Sequence, residues 1–173
     1  MPPARGGGEK KGVDTDEPAD HGLGLCRGGF GSKLHVMTDG NGHVLQIVLT
    51  RGNRNEVPVL GPLLAATVSR HRRRPGKLAA DKGYSADRIR RNLLALGIRP
   101  VIPMRHNEHV RDRREQFGTF DKQAYRRRNV VERAIGKLKE FRRIATRYEK
   151  LASAYLAMLA VANIVLYLRV LDS

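Results

Sequence analysis

Tryptophan is missing from this 173-residue chain, and cysteine occurs once, at Cys26. A lone thiol forms no internal disulfide framework and no cysteine-based metal site, which fits a reducing compartment. Acids are scarce as well. Seventeen Asp and Glu stand against 33 Lys and Arg, giving a net charge of +16 and a pI near 10.9. A compact chain with that excess repels itself, so its expected purpose is to meet a polyanion, nucleic acid before an anionic membrane. With only five Tyr and four Phe, stacking platforms for single-stranded RNA are few, which weakens an RNA-binding reading. The opening Met1-Pro-Pro-Ala-Arg-Gly-Gly-Gly lacks an apolar stretch and is not expected to act as a secretory leader. Long apolar runs are confined to Ala154–Leu171, which Asn163 and Arg169 interrupt. We expect a buried C-terminal helix there, not a membrane span.

What is present reads as two parts: a flexible Gly-rich arm over residues 1–31 and one domain over 32–173. The domain is expected to begin with a hairpin, because Leu34-His-Val-Met and Val44-Leu-Gln-Ile-Val-Leu flank Asp39-Gly-Asn-Gly, and Asp-Gly and Asn-Gly tolerate positive φ. A helix is expected over about Val57–Arg72, then a short strand over Lys77–Ala80. A second helix runs from an N-cap at Ser85 to Leu96, with Gly97 as its stop, and a strand follows over Ile98–Pro103. Residues 104–120 are expected as a polar loop, Asp121 to about Lys150 as one long helix, and the apolar run as the last helix. Strands interleaved with helices predict a layered α/β domain, a mixed sheet flanked by helices.

Two acids carry the chemistry. Asp81 follows the apolar Lys77–Ala80 run in Ala-Ala-Asp-Lys-Gly-Tyr, and ligands of open α/β sheets gather beyond the carboxyl ends of strands. A simple turn aspartate would look the same. Glu132 lies in Tyr125-Arg-Arg-Arg-Asn-Val-Val-Glu-Arg-Ala-Ile-Gly-Lys-Leu-Lys139. At about 100° per residue, Tyr125, Arg128, Glu132 and Lys139 fall within roughly 60° of one another on a helix. That stripe borders the expected buried face of Val131, Ala134, Leu138, Phe141 and Ala145. The plainer alternative is a solvated charged face held by an i,i+4 pair of Glu132 with Arg128.

The spacing Tyr-x2-Arg-x3-Glu-x6-Lys, preceded by Asp81-Lys-Gly-Tyr, resembles the catalytic core of bacterial insertion-sequence transposases of family five, the DDE type. Arg27-Gly-Gly-Phe-Gly-Ser-Lys-Leu-His-Val-Met-Thr-Asp-Gly40 and Phe141-Arg-Arg-Ile-Ala-Thr-Arg-Tyr-Glu-Lys150 extend the resemblance over roughly residues 10 to 171. It implies a ribonuclease H-like (integrase/transposase) fold, in which two Asp and one Glu gather two divalent ions, Mg²⁺ or Mn²⁺, for in-line displacement at phosphorus. Asp81 would be the second Asp and Glu132 the Glu. Arg128 and Lys139 would contact DNA phosphates, with Arg126, Arg127, Arg142 and Arg143 adding to that surface, and Tyr125 would pack at the site.

The pattern departs at one point. The family's first Asp stands on a central strand, and no such strand is expected before residue 32. Asp14, Asp16 and Asp20 lie in the arm and Asp39 in a turn. The chain is therefore expected to be an N-terminally truncated or frameshifted part of a cytoplasmic, nucleoid-associated transposase acting on transposon-end and target DNA. It would associate with itself or with an upstream fragment. The alternative is a non-catalytic DNA-binding remnant that inhibits transposition. Of six histidines only His106-x-x-His109 has a metal-like spacing, without a Glu partner. Gly28-Gly-Phe-Gly31 is not a phosphate loop, because no Lys-Ser/Thr and helix follow it.

Overall fold

The computed structural model describes residues 21–26, 29–71, 74–105 and 117–172. Asp14, Asp16 and Asp20, the His106–His109 pair and most of the expected 104–120 loop lie outside the described residues.

Three antiparallel strands, β1 (Gly24–Cys26), β2 (Gly29–Thr38) and β3 (Val44–Arg51), form a sheet in that order. Ordered structure thus begins earlier than residue 32. Gly24 pairs with Gly31 and Cys26 with Gly29. The backbone at Gly24 and Gly52 approaches its neighbours too closely for a side chain, which is why this strap is built from glycine. At the β2–β3 turn Asp39 folds back on the chain. Its Oδ1 accepts from the amides of Asn41 and His43, each at 2.9 Å, and Gly42 takes φ 93°.

The β2–β3 hairpin is packed on both faces, one apolar and the other mixed. Leu34 and Val36, with Val44, Ile47 and Leu49, face one core; His35 and Met37 face the other. On the second side lie α1 (Val57–His71), the parallel pair β4 (Lys77–Ala79) and β5 (Arg99–Val101), and α2 (Asp87–Ala95). Their core gathers Leu60, Leu64, Leu78, Ile89, Leu93 and Ile98. Helix α2 ends as expected. Gly97 adopts φ 74°, and the amides of Gly97 and Ile98 donate to the carbonyls of Leu94 and Leu93, a Schellman closure.

Its start differs from expectation. Ala86 is the N-cap, and Ser85 is buried, its hydroxyl accepting from Arg90 Nη2 at 3.0 Å. Arg90 is itself buried and donates to the carbonyls of Ile102, at 3.0 Å, and Pro103, at 3.3 Å. Arg90→Met is expected to cost about 2–4 kcal/mol, because it strands these carbonyls in the core; urea denaturation followed by circular dichroism measures it.

The third departure is larger. The single helix expected from Asp121 to Lys150 is three: α3 (Lys122–Arg126), α4 (Asn129–Lys139) and α5 (Arg142–Ala145). Tight i→i+3 bonds, Arg128 N–H to Tyr125 O and Val130 N–H to Arg127 O, re-aim the chain between α3 and α4. At the second break Phe141 is extended, which buries Ile144 where Ala145 was expected. Helix α6 (Ala152–Leu171) then packs Tyr155, Leu159 and Ala162 against Val44, Ala134, Leu138 and Ile144. It is not the wholly buried helix expected: Val161, Ile164, Leu168 and Leu171 are 53–79 % exposed, because nothing among the described residues covers that side. By length and composition it could cross a membrane, yet its other face is part of a packed protein core.

Candidate active site

Strand β4 delivers Asp81. Ala80 N–H still donates to Val101 O, and the chain then turns through one 3-10 turn, Lys82–Tyr84, with Tyr84 N–H donating to Asp81 O at 2.9 Å. Several contacts fix this turn. Arg105 reaches across to the carbonyls of Lys82 (3.2 Å) and Gly83 (2.9 Å). Gly83 lies against the Glu56 carboxylate with no room for a Cβ, and Lys33 pairs with Glu56 at 2.9 Å. The Tyr84 hydroxyl meets His35 Nδ1 at 2.7 Å, and His35 Nε2 meets Thr50 Oγ1 at 2.9 Å. Burial first, then the charges of Glu56 and Asp81, push the Tyr84 phenol up to about 12, so it stays a neutral hydroxyl.

His35 gives this anchor a pH dependence. Burial holds the imidazole below its ordinary 6.5; Lys33 adds to that and Glu56 opposes it. Between the folded pKa and 6.5 the unfolded chain binds a proton that the folded chain refuses. Stability is therefore complete above about pH 6.5 and falls as the pH drops toward the folded value. His35→Gln should flatten this slope even though it lowers stability overall. Urea midpoints between about pH 5 and pH 8 read it out.

Glu132 stands in the first turn of α4. The Arg128 guanidinium joins the two acids: Nη1 lies 2.9 Å from Asp81 Oδ1 and Nη2 lies 2.6 Å from Glu132 Oε1. Acids 51 positions apart in sequence thus share one cation. The i,i+4 pair and the grouped site are both present, since Arg128 makes the pair with Glu132 and reaches Asp81 with its other nitrogen. Partial desolvation works against the Arg128 cation, but Asp81, Tyr125 and Glu132 together raise its pKa. The guanidinium also lies over the Tyr125 ring, 5.4 Å from its centroid, and the Phe120 ring packs against Tyr125 at a tilt, centroids 5.4 Å apart. The Asp81 and Glu132 side chains are each 59 % exposed, so the acids open to solvent while the cation between them is 20 % exposed. A second tie runs alongside, from Lys77 Nζ to Asp121 Oδ2 at 2.8 Å, with Asp121 capping α3.

Asp81, Arg128, Glu132 and Tyr125 are therefore brought together. Lys139 is exposed at the far end of α4, about 10 Å along the axis from Glu132 at 1.5 Å per residue. Arg126, Arg127 and Arg142 are exposed, while Arg143 holds Glu149 through two nitrogens at 3.1 and 3.0 Å. Asp39 is committed to its own turn through His43 Nδ1 at 2.8 Å. Partial burial alone would raise its pKa, yet the bonds from His43 and Asn41 bring it below the ordinary carboxylate value. Among the described residues no three His, Cys, Asp or Glu cluster as a metal cage. The site offers two hard oxygen donors that point at a single cation. Mg²⁺, which retains waters and is held by one or two carboxylates plus substrate phosphates, suits that donor set. Sequence reasoning misses the His35–Tyr84–Glu56–Arg105 scaffold, because its four members come from separate segments of the chain.

A carboxylate pair from a strand end and a helix, bridged by arginine, thus stands in a strongly basic α/β chain. A family profile described as Transposase DDE domain matches residues 11–168. The chain is 38 % identical over 135 residues to a protein described as the transposase for insertion sequence element IS402 of Burkholderia cepacia, covering 75 % of this chain and 59 % of that one. It is 30 % identical over 138 residues to the corresponding protein for element IS6501 of Brucella ovis, covering 80 % of this chain and 98 % of that one. No solved structure gives a significant match. The chain belongs to the DDE transposases of bacterial insertion sequences. It spans about three fifths of the Burkholderia relative.

Proposed function

We propose that the chain is the catalytic C-terminal part of an insertion-sequence transposase of family five, with a ribonuclease H-like fold, working in the cytoplasm on nucleoid DNA. Its reaction is metal-dependent phosphodiester cleavage and strand transfer at transposon ends. The observation that carries this is the Arg128 bridge, in which one guanidinium contacts both Asp81 and Glu132.

In this reading Asp81 and Glu132 hold the divalent ion, Mg²⁺ with Mn²⁺ as substitute. Such an ion supplies Lewis-acid polarisation of the phosphoryl oxygen and a nucleophile usable at neutral pH. The chain's own residues do the rest. His35 and Tyr84 keep the Asp81 turn fixed, so the carboxylate need not be reorganised when DNA arrives. Arg128 turns from the acids to the phosphate flanking the scissile bond, while Tyr125 keeps the guanidinium plane oriented. Arg126, Arg127, Arg142 and Lys139 follow the backbone further along, with affinity that is salt-dependent and indifferent to sequence.

The third family carboxylate has no counterpart at the site among the described residues. That favours a second reading for the chain alone, a DNA-binding partner that inhibits transposition by joining a complete transposase. The two are separated by fusing the upstream segment of the Burkholderia relative to this chain and supplying end DNA with Mg²⁺. Cleavage that needs both Asp81 and Glu132 sustains the catalytic reading, and cleavage that survives loss of both overturns it.

DNA binding has its own expected result. Fluorescence anisotropy with duplex DNA should show log affinity falling steeply with log salt. Arg126→Ala with Arg127→Ala should lower that slope by about 2, one unit for each phosphate that the double variant leaves unneutralised.

A further inference from the structure

We propose that the outward face of α6 is a self-association seam, along which two copies of this chain pack antiparallel. The seam consists of Ala154, Ala157, Val161, Ile164, Leu168 and Leu171, all exposed. Their spacing is three, four, three, four and three residues, the a/d repeat of a helix built to lie against another helix. The buried stripe of Tyr155, Leu159 and Ala162 lies on the opposite side of the same helix, so core packing does not account for the outer repeat.

Antiparallel pairing matches this seam in size. It sets Ala154 against Leu171, Ala157 against Leu168 and Val161 against Ile164, so each layer joins a smaller side chain to a larger one and volumes fill evenly. Parallel pairing would oppose Ala154 to Ala154 at one end and Leu171 to Leu171 at the other, leaving a void and a bulge.

Charge agrees. In a chain of net charge +16, α6 carries a single charged residue, Arg169, which turns toward Glu140 (4.0 Å) and the Phe141 ring (5.7 Å). Nothing on the seam repels a second copy. Exposed Lys150 lies just before the helix and exposed Asp172 just after it, so the antiparallel arrangement brings opposite charges together at both ends and opposes the helix dipoles. The seam is about 26 Å long, from 17 steps of 1.5 Å. A membrane is a poorer occupant, because Leu159 on the inner face is fully buried in the protein core and could not enter lipid without unfolding it.

The inference stands apart from the catalytic reading and is tested without DNA. Nuclease-treated full chain in about 0.5 M NaCl, where surface charges are screened, is run by sedimentation equilibrium. A dimer is expected. Ile164→Asp, at the centre of the seam, should weaken dimerisation about 100-fold or more with an unchanged far-ultraviolet spectrum, and Ile164→Leu should keep the dimer. In a Cys26→Ser background, chains bearing Ala154→Cys should form disulfides with chains bearing Leu171→Cys rather than with themselves. A monomer at every concentration, a dimer indifferent to Ile164→Asp, or vesicle binding by phosphatidylcholine–phosphatidylglycerol bilayers that Ile164→Asp abolishes without any dimer would each overturn the proposal.

Discussion

Replacing Asp81 by Asn, or Glu132 by Gln, in the fused protein should slow Mg²⁺-dependent end cleavage by about a thousandfold or more. Both changes keep the size of the side chain and remove its charge. A metal contributes several kcal/mol of charge stabilisation at the phosphoryl centre, and roughly 4 kcal/mol corresponds to three orders of magnitude in rate. Because the two acids are more than half exposed and sit on separate elements, neither substitution should disturb the fold. Duplex affinity should hold or rise slightly, since a carboxylate facing the phosphates is gone. Cleavage kinetics on labelled end DNA, beside anisotropy on the same oligonucleotide, separate the two effects. The chain without the fused segment should bind that DNA and leave it intact with either metal.

The largest stability effect is expected at Leu159→Ala. Leu159 is fully buried among Val44, Ala134, Leu138 and Tyr155, and its truncation should cost about 2–5 kcal/mol. A domain of this kind has only about 5–15 kcal/mol in total. The loss would show as a large drop in the urea midpoint, and Leu138→Ala, at 1 % exposure, should behave alike. Leu171→Ala, at 79 % exposure on the same helix, should change the stability of the dilute monomer by less than about 0.5 kcal/mol. Chemical denaturation of the three variants makes the comparison.

Much of this arrangement is legible in the sequence because the signals are local. Asp-Gly-Asn-Gly places the hairpin, Gly97 places the end of α2, and the apolar Lys77–Ala80 run puts Asp81 at a strand end. α1 is helical from Val57 to His71, and its expected end at Arg72 lies outside the described residues. Other features depend on partners far along the chain. Gly24–Cys26 is a strand because it pairs across to residues 29–31, and a three-residue stretch is too short to signal that by local pattern. The apolar spacing of Val131, Ala134, Leu138, Phe141 and Ala145 continues through the second helix break, so periodicity alone reads one helix there. Arg128 is legible as a neighbour of Glu132, one helical turn away. Its contact with Asp81 exists only once folding brings the start of α4 to the turn after β4. The apolar content of α6 likewise reveals that a face must be covered, and not how many faces there are or which neighbour covers each.

The two-faced β2–β3 hairpin gives the site an unusual mechanical parentage. Asp81 is anchored in the half built around Leu78 and Ile98, and Glu132 in the half built around Leu138 and Leu159, with the hairpin as the wall they share. Productive geometry tolerates displacements of only about 0.5 Å. Repacking either half, even at a side chain remote from any acid, would tilt one carboxylate relative to its counterpart, so the proposed reaction would feel changes in both cores.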